Sequence, residues 1–289
     1  MPNVLEDQGP QRVSELIDKD TRTWKLANIE QWTSEGVQQA IESIPLGVFG
    51  REDQRTWPYT KNGKYTVKSG YYALKTAVPR QSQQEIDPGG TVYRIQRAVF
   101  EFVNLENKQQ SSSIQTDTLE MQKLWQKPPD DWLKINSDGS FCPKSKAAGI
   151  GIVVRDSIGR VLDAISAKVK ASDVLTVEAL ALREAVKLAV AKGFHKVCFE
   201  SDSSILVNDV NNNDCGSQTW KISAVIRDIQ ILVNSIENAE VKLISRTANL
   251  AADWFAKQSR QRMSYVDWRQ HPPSSLVKIW SFDGVPAPH

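Results

Sequence analysis

Residues 132–193 read WLKINSDGSFCPKSKAAGIGIVVRDSIGRVLDAISAKVKASDVLTVEALALREAVKLAVAKG, and this stretch decides the fold. Three apolar-rich runs of strand length come first, at 132–141, 147–155 and 160–169. Asp156, Ser157, Ile158 and Gly159 supply turn residues, so the second and third runs are expected to form a hairpin. An Ala/Leu/Val-rich helix follows over 176–192, closed by Gly193. Further on, 196–201 reads as a fourth strand, 203–211 as a short helix and 220–236 as a longer one. A fifth strand at 240–245 and a helix at 249–260, with Asn249 as N-cap, complete the pattern. The order βββαβααβα predicts an α/β domain, a five-stranded mixed sheet flanked by helices.

Four carboxylates lie inside these elements: Asp138, Glu178, Asp202 and Asp253. Taken alone, Asp138 reads as a strand-to-turn residue, Asp202 as an N-cap and Asp253 as a first-turn acid. Glu178 is different. On a helical wheel Arg183, Glu184 and Lys187 fall on one side, and Glu178 falls opposite, in line with Leu182, Ala185, Val186 and Ala189. A carboxylate in an apolar stripe costs several kcal/mol unless partnered. A divalent cation is the natural partner if several such groups converge. Glu200 is a fifth acid on the face of Cys198 and Asp202, read as a helper or a bystander.

The rest of the chain sets bounds. A net charge of +2 over 289 residues gives no general pull toward nucleic acid or membrane. No apolar run is long enough to cross a bilayer, and the opening MPNVLEDQGPQ lacks the features of a secretory signal. Cys142, Cys198 and Cys215 are odd in number and well separated, which argues against a disulfide framework and fits an intracellular, reducing compartment. The composition divides the chain into 1–78, a weakly structured N-terminal region; 79–128, a polar linker; 129–262, the α/β domain; and 263–289, a Pro-rich tail. Within the first region the expected elements are a helix in TSEGVQQAIESI, a strand at 64–67 and a helix from Ser69.

The segments WLKINSDGSF, GIGIVVRDSIGRVL, TVEALALREAVKLAVAKG, CFESDSSILV and SRTANLAADWFAK together resemble the type 1 ribonuclease H fold. More narrowly they resemble plant ribonuclease H-like domains related to non-LTR retrotransposons, and 24–78 is similar to the segment after the reverse transcriptase in such elements. The Cys/His zinc-binding stretch of those elements is replaced here by the polar linker. The resemblance implies that Asp138, Glu178, Asp202 and Asp253 bind two Mg²⁺ ions about 4 Å apart, with Mn²⁺ as a substitute. One ion would activate water and the other would stabilise the leaving 3′ oxygen, so that the RNA strand of an RNA–DNA hybrid is cleaved. It also implies substrate contacts from Asn136, Gly139, Ser140, Ser203 and Asn249, some of them to 2′-hydroxyls. The expected partner is nucleic acid, not membrane, and the expected state is a monomer.

Two departures matter. The family often carries a histidine about ten residues before the last aspartate, and here that position is Leu243. Lys221 and Arg227 are the only cations over 220–236, so phosphate neutralisation there is modest. A hybrid-cleaving endonuclease and a nucleic-acid-binding protein with weak cleavage therefore both stand.

Overall fold

The computed structural model describes residues 10, 12–49, 55–60, 63–77, 124–212, 220–261 and 271–284. The expected linker up to residue 123, and Cys215 and Arg262, lie outside these residues.

Five strands form one sheet: β1 (Leu133–Phe141), β2 (Ala148–Arg155), β3 (Val161–Val169), β4 (Lys196–Ser201) and β5 (Asn238–Leu243). Their spatial order is β3-β2-β1-β4-β5. β1 pairs antiparallel with β2 and β2 antiparallel with β3, whereas β4 pairs parallel with both β1 and β5. This is the mixed five-stranded sheet expected from the sequence. Every residue of β2 is buried, as its nearly continuous apolar text requires of a strand covered on both faces.

One face is covered by helices that follow the strands: α3 (Val174–Ala191), α4 (Ser204–Asn211) and α5 (Ser223–Asn234). They close the larger core, built around Ile135, Ile150, Ile152, Leu182, Phe199, Leu206 and Ile229. α3 begins two residues before the expected start, because the Asp173 side chain caps it by accepting a hydrogen bond from Thr176 N at 2.9 Å. Gly193 ends it with φ +66°, a conformation that glycine adopts without strain.

The other face carries α6 (Leu250–Arg260) and α7 (Ser274–Phe282). α6 lies directly on β2: a Cβ at Gly149 would stand 2.5 Å from Arg260 N, and one at Gly151 would collide with the Ala252 carbonyl. The two glycines at alternate positions are what let the helix down onto the strand. Trp125, Val153, Trp254, Phe255, Leu276 and Trp280 fill the second core.

Residues on either side of 129–262 also pack on the domain. Trp125, in the expected linker, is buried, and its Nε1 donates to Asn136 Oδ1 at 3.0 Å. Helix α7, in the expected tail, buries Leu276 and Trp280 completely and is followed by a buried ion pair, Asp283 with Arg155 at 2.7 Å. Apolar surface on β2 and α6 needs this cover, and isolated composition does not show it.

The N-terminal region contributes helices α1 (Glu35–Glu42) and α2 (Val67–Ala77), and residues 64–66 form no strand. Residues 44–49 dock on the domain. Val48 N and Phe49 N donate to the buried Asp228 at 2.8 and 3.3 Å, and Arg183 donates to Leu46 O at 2.8 Å and to Asp228 at 3.2 Å. The polar side of α3 is thus partly covered by this chain's own N-terminal segment.

Candidate metal centre

β1 has an antiparallel neighbour on one side and a parallel one on the other, and pairing with β4 stops at Asn136 and Glu200. Beyond that point the two strands separate at their C-terminal ends, where sheet-based sites commonly form. Asp138 projects from β1 just past the split. Asp202 follows the last residue of β4. Glu178 comes from the second turn of α3, and it reaches the same place because Gly139 has no side chain. A Cβ at Gly139 would lie 2.6 Å from Glu178 N and 2.7 Å from the Val177 carbonyl carbon. Gly139 N instead donates to Glu178 Oε2 at 3.2 Å.

One oxygen each from Asp138, Glu178 and Asp202 lies within 4.8 Å of the other two. Asp138 and Glu178 are buried, and Asp202 is partly exposed. Burial, then the charges of Asp202 and Asp253, push the Asp138 carboxyl up to about 8. Burial, then Asp138 and Asp202, push Glu178 up to about 9. At neutral pH both therefore hold protons unless a cation displaces them.

Asp253 is placed differently. Its charge is felt at Asp138, but it lies outside the three-carboxylate group, and its Oδ2 accepts from Lys257 Nζ at 2.6 Å. Arg246 plays a looser version of this part for Asp202: Nε is 3.4 Å from Oδ2, on a side chain 91% exposed. The i,i+4 spacing of Asp253 and Lys257 already brings this pair together on one helix face.

The expected substrate contacts divide. Asn136 is 1% exposed and spent inside: its amide donates to Glu200 at 2.9 Å while its oxygen takes the Trp125 proton. Glu200 also pairs with Lys134 at 2.8 Å, so it belongs to this internal network. Asn249 is equally buried and stands at the expected N-cap position, but its side chain makes no cap hydrogen bond. It reaches across to β1 instead, donating to Ser137 O at 3.0 Å and toward Asp138 Oδ1 at 3.4 Å. Ser140 Oγ accepts from Arg260 Nε at 2.8 Å, and Ser203 N donates to Ser201 Oγ at 3.2 Å. Only Gly139, Ser140 and Ser203 remain beside the carboxylates without being deeply spent elsewhere.

The group fits a hard divalent cation. All donors are carboxylate oxygens, as Mg²⁺ or Mn²⁺ prefers. Asn249 Oδ1, beside Asp138, is buried with no hydrogen-bond partner among the described residues.

Residues 136–259 match the family model described as reverse transcriptase-like. That match spans less than half of the chain; with the sheet order it supports a ribonuclease H-like fold over these residues. No curated protein matches. Among solved structures, the chain is similar to RNase H1 from the archaeon Halobacterium salinarum, at 17% identity over 45% of this chain and 98% of that one, with a TM-score of 0.40. It is similar to the N-terminal RNase H domain of a Mycobacterium tuberculosis protein, at 18% identity over 46% and 95%, with a TM-score of 0.41. It is also similar to LC11-RNase H1, isolated from compost, at 21% identity over 46% and 97%, with a TM-score of 0.41. That compost enzyme has a second structure in complex with an RNA/DNA hybrid. Within the ribonuclease H-like domain described here, no helix is long and apolar enough to cross a membrane, and the same holds for all described residues.

Proposed function

We propose that this chain hydrolyses the RNA strand of RNA–DNA hybrids with divalent cations, Mg²⁺ or Mn²⁺, held by Asp138, Glu178, Asp202 and Asp253. The observation that carries this reading is the meeting of three carboxylates from a strand, a helix and a strand end within 4.8 Å, two of them buried. Such a cluster is tolerable as a set of charges only around a cation. Bound as a pair, such cations supply an activated water and neutralise charge on the attacked phosphate and leaving oxygen. The chain's own residues fix the geometry. Gly139 N orients Glu178, Asn249 orients Asp138, and the end of β4 presents Asp202. Gly139, Ser140 and Ser203 flank the carboxylates and are the candidate contacts to the 2′-hydroxyls that distinguish RNA.

A second reading is a nucleic-acid-binding protein of the same fold with weak cleavage. Leu243, half exposed at the end of β5, favours it, because leucine offers no polar group where the family often has a histidine that helps product release. The resemblance on which this rests also takes the chain as a monomer, intracellular, and derived from a plant non-LTR retroelement.

Cleavage of a labelled hybrid with Mg²⁺ or Mn²⁺, by the native chain and by Asp202→Asn, tests the proposal. The native chain should cut the RNA strand and the variant should lose at least about a hundredfold in rate, the scale of a lost transition-state contact. Equal cutting by both removes the enzymatic reading.

A further inference from the structure

The four acids do not stand equally ready for a cation. Three converge. The fourth, Asp253, is closed off by Lys257 one helical turn along α6, at 2.6 Å. That contact is shorter than the 3.4 Å approach of Arg246 to Asp202, and its cation is the less exposed of the two, 51% against 91%. Both Lys257 and Asp253 act electrostatically on Asp138, as Arg246 does.

We infer that Lys257 is a built-in competitor for the second cation. Resting on the metal-binding reading above, the inference is that one divalent ion enters at Asp138, Glu178 and Asp202, while a second must first displace the ammonium from Asp253. Two positive charges cannot share that carboxylate without repulsion. The chain is therefore a strong one-ion binder whose second site fills only at higher cation concentration. Lys257 is a positioning residue, acting through Asp253. Once displaced, its four-carbon stem leaves the ammonium near the cluster, where an incoming phosphate provides a new partner.

The test is a Mn²⁺ titration of the full chain, followed by electron paramagnetic resonance and calorimetry, for the native protein, Lys257→Met and Lys257→Arg. Lys257 is half exposed, so both variants should fold, and thermal melts check this. In the native chain one ion should bind at least about tenfold more tightly than the second. Lys257→Met should tighten the second ion about fivefold, the weight of a partly exposed ion pair, and leave the first within about twofold. Lys257→Arg should behave as native. Equal affinity for two ions in the native chain, or an unchanged second constant in Lys257→Met, overturns the inference while the metal-binding reading stands. No ion bound at any concentration overturns both.

Discussion

Replacing Glu178 by glutamine should make the metal-free protein more stable, and increasingly so as pH rises. The folded chain holds the Glu178 carboxyl up at about 9, against 4.5 when unfolded, because burial and the charges of Asp138 and Asp202 disfavour ionisation. A raised carboxyl contributes full stability below the unfolded value and loses it as pH climbs through the folded one. Each pH unit in that window costs about 1.4 kcal/mol. From about pH 6 to about pH 8.5 the native chain should thus lose about 3 kcal/mol that the glutamine variant keeps. On a domain of this size that is about 10 °C in Tm. The assay is thermal unfolding of both full-length proteins in EDTA, monitored by circular dichroism at the two pH values. Loss of the contact to Gly139 N shifts the gap by a constant and leaves its pH slope alone. With Mg²⁺ the order should reverse: the native chain gains about 2.7 kcal/mol at a concentration a hundred times Kd, and the variant gains far less. A gap that does not widen with pH, or a variant stabilised by Mg²⁺ as much as the native chain, refutes the reasoning.

Three further outcomes follow from the same geometry. Because Asp138 and Glu178 must lose protons to bind a cation, Mg²⁺ affinity should rise from neutral pH toward about 9, with proton uptake by buffer visible in calorimetry across buffers of different ionisation heat. Gly139→Ala places a methyl 2.6 Å from backbone, so α3 must move away; about 2 kcal/mol of stability and most of the Mg²⁺-induced Tm shift should go together, as read by melts with and without metal. Asp283→Ala leaves Arg155, 1% exposed, as an unpaired buried charge, and should cost about 3–5 kcal/mol in urea unfolding.

Asp138, Asp202 and Asp253 each pass for ordinary turn or cap residues in the linear text, and only Glu178 stands out of place there. The helical period exposes it, since 100° per residue puts it among Leu182, Ala185 and Ala189 without reference to any other element. Asn136 and Asn249 are the opposite case. A polar residue beside an acid resembles a ligand contact in sequence, and only packing shows Trp125, Glu200 and Ser137 taking its hydrogen bonds. The extent of the folded unit was hidden likewise. The residues that cover β2 and α6, Trp125 and Trp280, come from segments whose own composition is polar or proline-rich.

By itself the sequence determined the five strands of the sheet, helices α3 to α6 and their order, since periodicity is a local property that each element carries alone. Tertiary structure decided which acids share an oxygen cage, and that the segments around Phe49, Trp125 and Trp280 pack onto the domain. Those are distances between elements remote along the chain, set by how α3 and α6 settle on glycines of β1 and β2, and no local pattern encodes them.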